Sequence, residues 1–257
     1  MSWLVPAFLV TAFLYALAGF GGGSAYNALL VLVGADYRVL PTIALGCNII
    51  VTAGSSLQFA RHGQVPWRRL VPILVASVPM AFVGGRLPIE QWVFTGLLGL
   101  SLLVAGALLV ARSPRERPLT EPPLRPRNVL LHAGLGGGIG LLAGIVGIGG
   151  GIFLAPILHL MNWNTARAIA GACSVFIMTN SIAGLGGQLL KLQHVEMLNV
   201  LSVYVWVFPA VLAGGLLGNR VTRQYLSPIW IRRVTGVLIL YVAVRLLVMT
   251  PGIIADG

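Results

Sequence analysis

The sequence predicts an all-α integral membrane protein built of two inverted repeats of about four helical segments each. Three observations carry that expectation. Hydrophobic residues make up 57% of the 257 residues and charged residues 9%, with a mean hydropathy of +0.92, which leaves too little polar surface to cover a soluble globule of this length. Two glycine clusters, Gly19-Phe20-Gly21-Gly22-Gly23 and Gly147-Ile148-Gly149-Gly150-Gly151, interrupt apolar runs 128 residues apart. The arginines gather in a few of the connections between apolar segments.

The repetition extends beyond the glycines. Gly46-Cys47-Asn48 with Ser55 recurs as Ala172-Cys173-Ser174 with Ser181 at an offset of 126. Pro79 with Gly84-Gly85 returns as Pro209 with Gly214-Gly215, and Pro88-Ile89 with Thr95-Gly96 returns as Pro228-Ile229 with Thr235-Gly236. Four landmarks in one order, with offsets that drift as loop insertions require, make residues 1–111 and 128–257 two copies of one transmembrane unit. The Pro- and Arg-rich residues 112–127 between them read as a solvated basic linker rather than a domain.

The apolar segments run in order at 2–33, 41–60, 70–86, 92–111, 129–161, 168–187, 197–217 and 230–249. The first lacks the basic flank of a secretory signal and begins a motif that recurs later, so it reads as a retained helix. It and the fifth exceed 30 residues, whereas a bilayer core needs about 20 in a helix. Glycine costs roughly 1 kcal/mol in a helix interior relative to alanine, so the two clusters mark helix breaks. The short pieces beyond them, Ser24 to Gly34 and Ile152 to Asn162, cannot cross alone; each is expected to turn back with the following segment as a re-entrant hairpin.

Charge sets the topology. The basic connections follow segment two (Arg61, Arg68, Arg69), segment four (Arg112, Arg115, Arg117, Arg125, Arg127) and segment seven (Arg220, Arg223, Arg232, Arg233). Eight simple crossings would scatter these over both sides of a bilayer. Three net crossings per repeat plus a re-entrant pair place all three on the cytoplasmic side and both termini outside. Three is odd, so the repeats are inverted. The net charge of +11 is thus explained by topology and anionic lipid, with no basic stripe or aromatic platform for nucleic acid. Two cysteines at matched apolar positions make no disulfide framework.

A broken helix exposes backbone N–H groups at the start of its second piece, where the aligned dipoles favour negative charge. Glycine admits a ligand to that backbone without a Cβ in the way. Gly21, Gly22 and Gly23 are therefore expected to face Gly149, Gly150 and Gly151 across an approximate two-fold axis and form an anion site near mid-membrane; close helix packing through small residues is the alternative. On the helix after each break, Cys47, Asn48, Thr52 and Ser55 form a polar stripe, and Cys173, Ser174, Asn180 and Ser181 form its counterpart. These are the candidate substrate-binding residues. Arg38 and Arg167 stand in the hairpin turns, either as positive charge at the cavity mouths or as residues snorkelling to the interface. The acidic residues all fall in ends or connections, which gives no support to a carboxylate relay through the core. No HExxH, nucleophile elbow or CxxC occurs, so no enzyme, metal or cofactor is expected.

The duplicated GxGGG breaks, the short helices after them, the Gly63-Gln64-Val65-Pro66-Trp67 turn and the basic central linker together resemble the TauE/SafE family of sulfite and organosulfonate exporters over essentially the whole chain. The resemblance implies a bacterial inner-membrane transporter of small sulfur-containing anions driven by the proton gradient or the membrane potential. Pro156 matches the family pattern in the second short helix, whereas Asn27-Ala28 stands at the corresponding place in the first. Cys47 and Cys173 stand where relatives carry Thr or Ser. Alternating access around the paired breaks is the expected mechanism. An anion channel and a non-transporting membrane scaffold or assembly factor are the alternatives; proton coupling and a homodimer stay open.

Overall fold

The computed structural model describes residues 3–111, 126–161, 163–191, 203–221, 237 and 239–248. Among them the chain is entirely helical: α1 (Leu4–Ala18), α2 (Gly23–Leu32), α3 (Leu40–Arg61), α4 (Trp67–Arg86), α5 (Gln91–Ala111), α6 (Pro126–Val146), α7 (Gly151–Leu160), α8 (Ala166–Lys191) and α9 (Val207–Val221), followed by α10 (Ile239–Val248). The second halves of the last matched landmarks, Pro228 to Gly236, lie outside the described residues, as does the linker apart from residues 126–127, which open α6.

Each over-long apolar segment is two helices. α1 ends on Gly19 at φ 72° and α2 starts from Gly22 at φ 85°; α6 gives way at Gly147, φ 79°, and α7 starts from Gly150, φ 77°. Those left-handed conformations cost an L-residue with a Cβ about 1–2 kcal/mol, which is why glycine stands there. The two starts are built alike. The N–H groups of Ala25 and Tyr26 both donate to the Gly22 carbonyl, and those of Phe153 and Leu154 to the Gly150 carbonyl.

After the first break the chain reverses. Phe8 of α1 stacks on Tyr26 of α2 at 5.0 Å between ring centroids, and α2 then runs back beside α3. Among the described residues four helices are long and apolar enough to cross a membrane: α3, α4, residues 91–108 of α5 and residues 167–191 of α8. This differs in one respect from the sequence expectation, which joined each short piece to the following segment as the shallow pair. α3 has 22 residues and α8 has 26, whereas α1 has 15 and α2 and α7 have 10 each; in the first half both helices that flank the break are short and the positive-φ glycines fold α2 back onto α1, while in the second half α6 has 21 residues.

The helices interleave the two halves of the chain. α9 lies parallel to α1, a Cβ on Gly214 or Gly218 meeting the carbonyls of Leu9 and Phe13. α4 lies parallel to α6 in the same way, with Gly140 on Ser77 and Gly144 on Ala81. α3 and α8 run antiparallel through the centre, Leu45 beside Gly184 and Phe59 beside Gly171. The core between them holds Phe8, Tyr26, Leu30, Ile43, Leu154 and Phe176, all under 2% exposed. Large apolar side chains also cover the outside, among them Val75, Leu130, Trp206 and Val248, as expected of helices whose solvent is hydrocarbon.

Candidate functional site

The two glycine turns meet, and Asn48 is where they meet. A Cβ on Gly21 would lie 2.5 Å from Asn48 Oδ1, one on Gly23 would lie 2.6 Å from Asn48 Nδ2, and one on Gly149 would lie 2.8 Å from the same nitrogen. Gly23 also faces the Ile148 carbonyl of the other turn, at 2.7 Å by the same measure. The reason is local. Asn48 stands one-third of the way along α3, level with the start of α2, because α2 and α3 are antiparallel neighbours joined by a short connection.

The Asn48 side chain is completely buried, and neither its Oδ1 nor its Nδ2 has a hydrogen-bond partner. Leaving a buried polar group unpaired costs about 1–3 kcal/mol, and an amide carries both a donor and an acceptor. Around it stand two helix N-termini, those of α2 and α7, neither with a side-chain cap. Such N-termini carry roughly half an elementary positive charge each. Ser181 adds a second orphan: its hydroxyl is buried, unpartnered and 3.1 Å from the Cβ position of Gly149.

The remaining candidates divide by what their polar atoms do. Thr52 donates to the Asn48 carbonyl at 2.6 Å and Ser55 to the Val51 carbonyl at 3.2 Å, so both hydroxyl hydrogens turn into their own helix. Asn180 donates to the Phe176 carbonyl at 2.9 Å while its Oδ1 is unpaired. Ser174 reaches out of α8 and donates to the Gly19 carbonyl at 2.9 Å, which places it under the end of α1. Gly22 packs against Tyr15 and Tyr26, Gly150 against Ile139 and Phe176, and Gly151 against Ile177, so these three face apolar side chains. Cys47 and Cys173 are buried free thiols within the apolar core. Arg38 and Arg167 are exposed, each near the turn between a short helix and the long one after it; Arg38 lies over the ring of its neighbour Tyr37, 5.5 Å from the centroid.

Two sets of residues escaped the sequence reading. Asn27, noted there only as a departure from the family pattern, donates to the Val146 carbonyl at 2.9 Å, a contact between residues 119 apart that has no local signature. Gly136, Gly140 and Gly144 recur every fourth residue on one face of α6, and a Cβ on any of them would strike the α4 backbone. That spacing is the small-residue packing pattern of membrane helices and was legible in the sequence. Packing accounts for these glycines as it does for Gly84, Gly85 and Gly187. Gly21, Gly23 and Gly149 differ, because what they approach is an unpaired amide. An open groove of about 510 Å³ between α3, α8 and α9, flanked by Thr42, Gly46, Ile50, Leu185 and Phe208, lies on the face of α3 opposite Asn48; its lining is apolar except for the Thr42 hydroxyl.

Comparison with known proteins agrees with this architecture. The family model described as "Sulfite exporter TauE/SafE" matches residues 4–246. A protein of Sinorhizobium fredii named "Probable membrane transporter protein y4hK" is 35% identical over 247 residues, covering 95% of this chain and 97% of that one. A "Probable membrane transporter protein" of Methanocaldococcus jannaschii is 27% identical over 71% of each chain. A protein of Haemophilus influenzae with the same description is 29% identical over 63% of this chain and 64% of its own. No solved structure matches.

Proposed function

The chain belongs to the sulfite exporter TauE/SafE family, a family of multi-pass membrane transporters, and from that premise we propose that it moves small sulfur-containing anions, sulfite or organosulfonates, across a bacterial inner membrane. The observation that carries this reading is the buried, unpaired Asn48 amide set between Gly21 and Gly23 of one half and Gly149 of the other. An oxyanion between the α2 and α7 N-termini would take hydrogen bonds from backbone N–H groups, from Asn48 Nδ2 and from Ser181, and it would complete the donors that the protein leaves open. Desolvating an anion is costly unless such donors replace its water, and the N-termini of broken helices supply them.

Transport in this reading follows alternating access between two inverted repeats. The helix directions support it. α3 and α8, equivalent in the duplication, are antiparallel, and α4 packs on α6 as α9 packs on α1, with the halves exchanged. Each net path of three crossings then puts Arg61, Arg68, Arg69 and Arg220 on the cytoplasmic side and both termini outside. Even a methyl group on Gly21 has no room beside Asn48, so the two turns must part to admit the anion, a rearrangement that suits a carrier rather than an open anion pore. Covalent chemistry is not required, and no residue is assigned to it.

The test is electrogenic or counterflow transport by purified protein in liposomes after anion jumps, comparing sulfite, thiosulfate and small sulfonates with chloride and phosphate. Saturable flux selective for sulfur oxyanions is the expected result. No flux and no counterflow with any of them would overturn the transport reading and leave a membrane scaffold.

A further inference from the structure

Ile177 of α8 stands against the same glycines as Asn48. A Cβ on Gly21 would lie 2.9 Å from Ile177 Cγ2, and one on Gly149 also 2.9 Å from it; one on Gly151 would meet Ile177 Cδ1 and Cγ1 still more closely. Ile177 is buried at 2% exposure. The Cβ positions of Gly21 and Gly149 are thus approached both by the Asn48 amide and by the Ile177 sec-butyl group. Among the nearest neighbours of the described glycines, Asn48 and Ile177 are the side chains that meet glycines of both turns.

We propose that Ile177 is the size-determining residue of the anion site, an inference that rests on the transport reading above. The Asn48 amide and the two helix N-termini recognise the charged oxygens, which every sulfur oxyanion presents. What distinguishes sulfite or thiosulfate from an organosulfonate is the group on sulfur that points away from those donors. Ile177 is the apolar side chain packed against both glycine turns, so a substituent on sulfur bound there would meet it. A β-branched side chain has one preferred χ1 rotamer in a helix, so Ile177 cannot swing clear as a leucine or methionine would. The wild-type protein therefore selects compact inorganic sulfur oxyanions and excludes sulfonates that carry an alkyl group, through steric conflict with Ile177 rather than through any polar contact. Shortening it opens room beside the glycine backbone without removing a donor.

The experiment measures flux of sulfite, thiosulfate, methanesulfonate and ethanesulfonate in liposomes for wild type, Ile177→Leu and Ile177→Ala. Both variants lack the Cγ2 methyl that meets Gly21 and Gly149, and one such group in an apolar pocket changes discrimination by at least about tenfold, so the ethanesulfonate-to-sulfite flux ratio should rise about tenfold in Ile177→Leu and further in Ile177→Ala, with sulfite flux retained. Should Ile177→Ala not insert, Ile177→Leu decides, because it keeps the side-chain volume while removing the branch at Cβ. A ratio unchanged from wild type while sulfite is still carried overturns the role of Ile177 and leaves the transport reading standing. Absence of flux for every anion in the wild type overturns that reading, and this one with it.

Discussion

Asn27 and Val146, 119 residues apart, are joined by a 2.9 Å hydrogen bond from side-chain Nδ2 to main-chain oxygen. Its counterpart runs the other way: Ser174 donates to the Gly19 carbonyl across 155 residues. Gly19 caps α1 and Val146 ends α6, so in each case a side chain from one half satisfies the open carbonyl end of the broken helix in the other. Helix C-termini need such partners in an apolar interior.

Asn27→Ala and Ser174→Ala should each destabilise the protein modestly, by about 0.6 kcal/mol and at most about 1.7 kcal/mol, the range of interhelical hydrogen bonds in membranes. Reversible unfolding in mixed micelles measures it. A loss of several times that size in either variant would mean that the contact holds far more than one carbonyl.

Asn48→Asp keeps the shape of the side chain and puts a tethered anion between the two helix N-termini. The variant should insert normally and carry anions poorly, because a carboxyl offers no N–H donor to the substrate and repels it when ionised. Flux at neutral pH equal to wild type would remove Asn48 from the site.

Gly21→Ala separates space from backbone strain. Gly21 has no positive φ, unlike Gly22 at 85° and Gly150 at 77°, so bulky residues at the latter two would disturb the turn itself rather than only the ligand's place. The new methyl at Gly21 meets Asn48, at an overpacking cost of about 1–3 kcal/mol. Flux should fall at least tenfold, and adding Asn48→Ala should recover stability without recovering flux, a pattern that thermal unfolding and transport assays read together. Full recovery of both would point to packing alone.

Ser181→Ala and Thr52→Val should part company. The Ser181 hydroxyl is unpartnered beside Gly149, whereas Thr52 is already committed to the Asn48 carbonyl. Losing a hydrogen bond to a charged ligand costs about 1.5–3 kcal/mol, so Ser181→Ala should raise KM for the anion about tenfold or more. Thr52→Val should leave it within about twofold, since its hydrogen points into its own helix. Equal effects from the two would contradict the division of the polar stripe.

The sequence was informative wherever a requirement is local. Positive φ demands glycine, so Gly19, Gly22, Gly147 and Gly150 announced both turns, and the apolar length of α4 and α5 announced their span, whereas α3 and α8, expected to turn back with the short pieces, are long enough to cross. Asn48 was legible as part of a stripe, but its isolation was not, because whether an amide is paired depends on groups brought from the other half. Thr52 and Ser55 looked equivalent to Ser181 for the same reason; back-bonding to the fourth residue before leaves no trace in residue type. Ile177 read as one more apolar residue on a helix, and only the meeting of Gly21, Gly149 and Gly151 around it gives it a distinct position.

The seating of α1 on α9, through Gly214 under Leu9 and Gly218 under Phe13, also sets an order of birth. Leu9 leaves the ribosome 205 residues before Gly214, an interval of roughly 10–40 s at translation speeds of about 5–20 residues per second. Throughout that time the first hairpin lacks the helix that closes it, and a 15-residue α1 is too short to hold itself across a bilayer. The first helix must wait in the membrane or its insertion machinery until α9 arrives. It comes to rest on a partner made almost at the close of synthesis.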